Sequence, residues 1–313
     1  MKKVVLLLLC IFVITAYGAK IKEDYYKNGI KSSKEKNYTQ AVSDFTKALE
    51  NDAELIEAYA ERGDAYFELL NYKEALRDYN KYIENNKNNS YIFYKRAKIY
   101  ELFANYDRAS VDLSKAIILE PENIFYYVER AKINIENQEA AAALADYSKA
   151  IEISKEKDEN LYIERATLYI SMGKDREAEE DLKKAIEINS LNSKIYFTMG
   201  VYYQKKKNYQ ESEKFYTKAI ELKPDYSEAY FNRGVIKFNS LKYEESIKDY
   251  NKTLEIDSNY TNVYYARGYS YYMLKEYKNS LIDFNKYLSI NPDSSETKGV
   301  RDMVQDEWNN SEN

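Results

Sequence analysis

The chain has 313 residues, with 47 Lys and Arg against 52 Asp and Glu, which gives a formal net charge of −5. This acidic balance argues against a nucleic-acid partner, because nucleic-acid binding needs a basic face. Histidine is absent and 35 residues are tyrosine, so the commonest general base and metal ligand are missing and tyrosine must supply much of the packing.

The first segment has the order of a secretory signal peptide. Two lysines precede an apolar run from Val4 to Ile14, and small residues follow. The run is too short for a membrane span, which needs about 18 apolar residues. We predict a signal peptide over 1–19, cleaved after Gly18 or Ala19, and therefore an exported protein that is periplasmic or secreted.

Membrane attachment remains an alternative to cleavage. Cys10, the only cysteine, lies inside the apolar run and would be the site of lipidation, but Leu9 stands where a small residue is expected before it. An uncleaved N-terminal anchor is the other alternative. After cleavage the mature protein would contain no thiol and no disulfide.

A unit of 34 residues follows and is repeated eight times in tandem, with one extra residue near Asp158. A lysine followed by Ala, Tyr or Thr recurs at this spacing from Lys47 to Lys286. The predicted repeats are 22–55, 56–89, 90–123, 124–157, 159–192, 193–226, 227–260 and 261–294, and a tail occupies 295–313.

The repeats share a pattern of residue sizes. Position 4 is always aromatic, position 8 is Gly or Ala, position 20 is small, and position 24 is large and apolar. Small residues allow two helices to approach closely, and spacings of three, four and seven mark one helical face. All three prolines stand at position 32, where a helix must already have ended. Each repeat is therefore predicted to be a helical hairpin.

This pattern resembles the tetratricopeptide repeat (TPR) throughout 22–294. The resemblance implies an all-α fold, a right-handed α-solenoid in which each hairpin buries its apolar face against its neighbours. The tail fits a capping helix with a frayed end, in which Met303, Val304 and Trp308 cover the last hairpin.

The sequence offers little for catalysis or cofactor binding. The glycines fall at packing positions, in a turn, in the signal peptide and in the tail, so none remains for a phosphate or calcium loop. The acidic residues of 177–181 are interpreted as the solvated side of a helix, and the three lysines of 205–207 as a solvated turn. We predict no catalytic residue, no cofactor and no metal, with an enzyme or an RNA-binding helical repeat as remote alternatives.

Six repeats carry Arg at position 7, where the TPR family usually has Leu: Arg62, Arg96, Arg130, Arg165, Arg233 and Arg267. Seven repeats carry Asp at position 23: Asp44, Asp78, Asp112, Asp146, Asp181, Asp249 and Asp283. The sixth repeat loses both together, with Met199 and Phe215, which favours an Arg–Asp ion pair of structural purpose. The pair would join the two helices of one repeat, or one repeat to the next, in which case Arg301 would serve Asp283.

In the TPR family the first helix of each hairpin lines a binding groove, through positions 2, 5, 9, 12 and 13. Repeats two to four are charged there: Glu57, Asp64, Glu68, Lys98, Glu101 and Lys132. Repeats six to eight are apolar there, and the candidate partner-binding residues are Phe197, Val201, Phe231, Val235, Phe238, Tyr265, Tyr269 and Tyr272.

We expect this apolar part of the groove to bind an extended peptide or an amphipathic helix. The alternative is that these side chains pack on neighbouring repeats or on a second copy, which would make the protein a self-associating structural solenoid. The sequence thus predicts an exported, non-catalytic scaffold or adaptor for another protein, whose identity the groove residues do not encode.

Overall fold

The computed structural model describes residues 23–311, and all its regular structure there is helical. The predicted signal peptide 1–19 and residues 312–313 lie outside the described part. We number the helices α1 to α17 in chain order. They are 23–34, Tyr38–Asn51, Ile56–Glu68, Tyr72–Asn85, Ser90–Leu102, Tyr106–Leu119, Ile124–Glu136, Ala140–Ile153, Glu159–Met172, Asp175–Ile188, Ser193–Lys205, Tyr209–Leu222, Ser227–Asn239, Tyr243–Ile256, Asn262–Met273, Tyr277–Ile290 and Ser295–Ser311.

The chain divides into two compact bodies, which we call the N-terminal body (Met1–Lys155) and the C-terminal body (Glu156–Asn313). Within each body, successive helices pair into hairpins and neighbouring hairpins pack side by side. The predicted all-α solenoid of TPR-like hairpins is confirmed. The extra residue of the repeat pattern lies in the segment 154–158, which joins α8 to α9.

Every hairpin turns at position 15 of its repeat, where the backbone is left-handed. Gly173 has φ of 72° there, but the other seven repeats use a residue with a side chain: Lys36, Leu70, Ala104, Gln138, Lys207, Leu241 and Lys275. In the turn after α3, the amide of Leu70 donates to the Phe67 carbonyl and that of Asn71 to the Tyr66 carbonyl, which is a Schellman motif. The same pair of bonds closes all eight hairpins.

The core of each hairpin is the side chain at position 24, which is at most 1% exposed in every repeat. Position 8 of the first helix lies directly against it. A Cβ added to Gly29 would come within 2.5 Å of the Phe45 ring, and one added to Gly200 within 2.5 Å of the Tyr216 ring. These glycines are therefore required by the aromatic ring that they face.

The tail forms α17, which covers the last hairpin as predicted. Val304 is fully buried with Leu281 and Phe284, and Trp308 packs at the edge of this cluster. The prediction for Met303 was wrong, because its side chain is 42% exposed. Met303 precedes Val304 by one residue, so the two side chains lie on different faces of the helix.

Candidate partner-binding groove

An apolar cavity of about 650 Å³ opens between α13 and α15 in the C-terminal body. We call it the α13–α15 groove. Tyr250 of α14 lies at its base. Its walls are two rows of side chains from the two first helices, together with smaller neighbours: Phe231, Val235, Phe238, Asn262, Tyr265, Ala266, Tyr269, Tyr272 and Met273.

Helical periodicity positions both rows. Phe231, Val235 and Phe238 follow the spacing i, i+4, i+7 on α13, and the tyrosine row at 265, 269 and 272 repeats it on α15. The opposite face of α13 is buried through Ala229 and Ile236. Each helix thus packs on one face and presents the other to the groove.

The aromatic side chains of the groove also stabilise the fold. The ring of Phe231 lies 5.8 Å from that of Tyr250 and 5.0 Å from that of Tyr260, and the rings of Tyr269 and Phe284 are 5.3 Å apart. Tyr250 and Phe284 are buried, whereas Phe231 and Tyr269 of the groove walls are half-buried. Met273 is 45% exposed, so a partner could reach its side chain from solvent.

Six of the eight residues predicted for the partner site line the α13–α15 groove. The other two, Phe197 and Val201, line a separate cavity of about 430 Å³ beside α9 and α11. There the ring of Phe197 stacks on that of Tyr226 at 5.0 Å, and burial raises the pKa of Tyr226 to about 12. The predicted set is therefore divided between two places in the C-terminal body.

Carboxylates from α17 border the tyrosine row. The hydroxyl of Tyr265 donates to Glu296 at 2.7 Å, and that of Tyr272 donates to Glu307 at 2.9 Å. Burial and hydrogen bonds raise the pKa of Tyr265, and the bond to Glu307, followed by burial, raises the pKa of Tyr272. Both hydroxyls therefore stay protonated donors. These carboxylates were missed from sequence, although α17 starts 34 residues after the repeat start at Thr261 and so continues the register.

Charged first-helix residues of the N-terminal body pair with one another. Lys98 contacts Glu101 at 2.5 Å and Glu129 at 3.5 Å, and Lys132 contacts the same Glu129 at 2.7 Å. Asp64 accepts a hydrogen bond from the Tyr79 hydroxyl at 2.6 Å, and burial is the main cause of its raised pKa. These charged side chains therefore already have partners within the N-terminal body.

The six arginines at position 7 bind the aspartate of their own repeat, through Nε and Nη2 to the two carboxylate oxygens. The twelve bonds measure 2.5–3.0 Å and join Arg62 to Asp78, Arg96 to Asp112, Arg130 to Asp146, Arg165 to Asp181, Arg233 to Asp249 and Arg267 to Asp283. Of the two pairings considered, the structure has the one within a repeat. Arg301 contacts Asp302 instead of Asp283.

Each arginine also reaches beyond this pair. The guanidinium lies 5.4–5.9 Å from the centre of the position-4 ring in all six repeats. Nη1 donates to position 25 of the preceding repeat in Arg62, Arg96, Arg130, Arg233 and Arg267, where the acceptors are Thr46, Asn80, Ser114, Thr217 and Asn251. In the sixth repeat Phe215 stacks on Tyr203 at 5.2 Å instead. These Nη1 bonds tie adjacent hairpins together within each body.

The remaining charged clusters have local partners. In 177–181, Glu180 pairs with Arg176 at 2.9 Å, and Asp181 is the buried partner of Arg165. In the lysine turn, Lys205 donates to the Ile170 and Ser171 carbonyls and Lys206 contacts Asp175 at 3.2 Å. Within residues 23–311, no group of three or more Cys, Asp or Glu is arranged to hold a metal ion. No helix in the described range is both long and apolar enough to span a bilayer.

Family models cover more than half of the chain. Models described as tetratricopeptide repeat match residues 34–91, 159–190, 193–226 and 261–294, and one described as TPR repeat matches 242–275. No curated protein matches the chain.

Several solved structures share the fold. A tetratricopeptide repeat protein from Parabacteroides merdae has a TM-score of 0.64 at 20% identity, over 80% of this chain and 98% of that one. The C-terminal part of a TPR repeat-containing protein from Cytophaga hutchinsonii has a TM-score of 0.54 at 20% identity, over 76% and 97%. The APC/C hetero-tetramer Cut9-Hcn1 has a TM-score of 0.59 at 17% identity over 85% of this chain, which spans 52% of the matched one.

Proposed function

Because the chain belongs to the tetratricopeptide repeat family, whose repeats form scaffolds for protein–protein interaction, we propose that it holds a protein partner in the α13–α15 groove. One observation carries this proposal. Ten residues, nearly all apolar, surround a cavity of about 650 Å³ that is open to solvent, and an exposed apolar surface with few polar groups is typical of a binding site.

The groove is distinguished from the charged surface of the N-terminal body. There Lys98, Lys132 and Glu129 already contact one another, so a partner would have to replace existing ion pairs. In the α13–α15 groove a partner would instead remove apolar surface from water, which contributes about 25 cal/mol per Å². Binding is therefore favoured in the C-terminal body.

Export is the second part of the proposal. The basic, apolar and small segments of 1–19 support it. The exported protein should begin at Ala19 or Lys20, and its intact mass measured by mass spectrometry tests this. A chain that keeps Met1 and stays with the membrane fraction would contradict cleavage and favour an anchor.

The binding role is tested by crosslinked capture with paired variants. Val235→Glu with Met273→Glu places two charges in the groove at side chains that are not part of the buried core. The control, Val111→Glu with Ile118→Glu, places the same charges at side chains that are 59% and 70% exposed on the second helix of the third repeat. We expect the partner to be captured by the native chain and the control but lost with the groove variant, all three being equally helical by circular dichroism. Equal capture by all three would contradict the proposal.

Light scattering separates a partner from self-association. A second copy of the chain in the groove would double the mass of the native protein and leave the groove variant monomeric. A monomeric native protein supports a different partner.

A further inference from the structure

The two walls of the α13–α15 groove match the pattern of an incoming helix. Phe231, Val235 and Phe238 span two turns on α13, and the row from Tyr265 to Tyr272 spans two turns on α15. Seven residues of helix cover about 10 Å. A third helix lying between these rows would present its own i, i+4 and i+7 side chains to both.

The groove offers little to an extended peptide. Such a peptide exposes backbone N–H and C=O groups that need partners when they are buried. The polar groups of the lining are the Asn262 side chain and tyrosine hydroxyls, and the hydroxyls of Tyr265 and Tyr272 already donate to α17. A helix satisfies its own backbone, so it loses less on entering the groove.

Carboxylates stand at both ends of the tyrosine row. Glu296 accepts from Tyr265 near the start of α15, and Glu307 accepts from Tyr272 near its end. Glu228 lies one turn before Phe231 on α13. Burial, followed by the charge of Glu228, raises the pKa of Tyr260, the ring that packs on Phe231. None of these three glutamates forms an ion pair within residues 23–311, whereas Glu129 of the N-terminal body contacts two lysines.

We infer that the partner segment is a basic amphipathic helix. Its apolar face fills the α13–α15 groove, and Lys or Arg at both ends of that face lie opposite Glu228, Glu296 and Glu307. The inference rests on the proposed function and adds the chemistry of the partner to it. Carboxylates at the rim of an apolar site select partners by charge and speed their association.

Four synthetic peptides of about 18 residues test the inference. The first has Leu at i, i+4 and i+7, Lys one turn before the first Leu and one turn after the last, and Ala elsewhere. The second has Glu in place of Lys. The third has a proline at its centre, which prevents the helix. The fourth has the residues of the first in an order without an apolar face. Fluorescence anisotropy measures their binding to the full chain.

We expect the Lys peptide to bind about tenfold more tightly than the Glu peptide, since three rim charges together contribute about a factor of ten. It should also bind at least about tenfold more tightly than the third and fourth peptides, because these present no helical apolar face to the groove. Its affinity should fall with added salt, because the contacts are at an exposed rim. The triple variant Glu228→Gln, Glu296→Gln and Glu307→Gln should bring the Lys and Glu peptides to within about twofold of each other.

The control variant carries the same change of charge on second helices, at Glu84→Gln, Glu187→Gln and Glu221→Gln, which removes only exposed pairs to lysine. It should bind the Lys peptide as the native chain does. Equal binding of the Lys and Glu peptides, or tightest binding of the proline peptide, would overturn the basic helix as partner. Peptide binding that survives Val235→Glu with Met273→Glu would overturn the groove itself, and with it the proposed function.

Discussion

At the scale of the residue, the size of position 8 follows the residue that faces it. The five glycines at this position each face a Phe or Tyr ring at position 24. Ala97 and Ala166 share their repeats with Leu113 and Leu182, which are branched and shorter. Ala131 with Tyr147 departs from this rule, and nothing in the structure explains it.

The rule predicts the effect of Gly29→Ala. The new Cβ would lie 2.5 Å from the Phe45 ring, so we expect a loss of about 1–3 kcal/mol from overpacking. Phe45→Leu in the same chain should recover much of this loss, because it recreates the combination of Ala97 with Leu113. Thermal unfolding followed by circular dichroism measures both.

Gly299→Ala is the matched control. No atom lies within 4 Å of its added Cβ, so the change should be neutral or stabilise α17 by up to about 1 kcal/mol. A destabilisation equal to that of Gly29→Ala would contradict the packing argument.

The Arg–Asp pairs lead to a second prediction at this scale. The Asp112 side chain is 4% exposed, so Arg96→Met leaves a buried carboxylate without its partner and should cost about 3–5 kcal/mol. Arg96→Met with Asp112→Phe reproduces Met199 and Phe215 of the sixth repeat, and Tyr100 stands where Tyr203 stacks. The double variant should lie within about 1 kcal/mol of the native chain. An additive loss in a double-mutant cycle would show that the sixth repeat is stabilised in another way.

At the scale of the element, sequence reasoning predicted the hairpins well because size and spacing repeat. The start of α3 at Ile56 and the burial of position 24 follow from periodicity alone. The left-handed turn residue could not be predicted in this way. Only Gly173 is of a residue type that favours a positive φ, whereas Leu70 and Leu241 adopt the same conformation without being such a type.

This turn predicts a reciprocal pair of effects. Leu241 is 72% exposed with φ of 63°, so Leu241→Gly removes a backbone cost of about 1–2 kcal/mol from the folded state. Glycine also increases the conformational entropy of the unfolded chain, which offsets part of this gain in stability. We expect a net gain of about 0.5–1 kcal/mol. Gly173→Ala, which meets no atom within 4 Å, should lose a similar amount. A Leu241→Gly variant that is less stable than the native chain, or a Gly173→Ala variant that is not, would contradict the conformational origin.

The groove was predictable only in part, for reasons that also belong to this scale. Val235 and Tyr269 could be predicted because both stand at position 9, one of the positions that line the groove in the TPR family. The division of Phe197 from Phe231 depends on which neighbouring tyrosine each ring meets, Tyr226 or Tyr260. Carboxylates such as Glu296 could be placed beside the groove only if the capping helix had been recognised as the first helix of a ninth, incomplete repeat.

At the scale of the whole molecule, the buried tyrosines should make the free energy of unfolding fall at alkaline pH. Burial raises the pKa of Tyr216 and Tyr250 above the ordinary value of 10.0, and that of Tyr226 to about 12. The folded state therefore holds these phenolic protons more tightly than the unfolded state. Their stabilisation is complete below about pH 10 and is lost as the pH rises towards 12.

The midpoint of thermal unfolding should consequently change little between about pH 7 and 9 and fall above about pH 10. Tyrosinate absorbance should rise together with the loss of helicity. Tyr226→Phe should reduce the alkaline loss, because it removes one of the shifted groups. A midpoint that stays constant up to about pH 11, or ionisation that precedes unfolding, would contradict the buried state of these hydroxyls.

The central claim is that the α13–α15 groove holds the partner, and site-specific photocrosslinking tests it most directly. A photoreactive amino acid at position 273 would stand inside the groove, and the same amino acid at position 118 would stand on an exposed second-helix surface of the N-terminal body. Both side chains replaced are apolar and exposed, so the two chains should fold alike. The account predicts a crosslinked adduct of defined mass from position 273 and none from position 118. Equal adducts from both positions, or an adduct from position 118 alone, would contradict it.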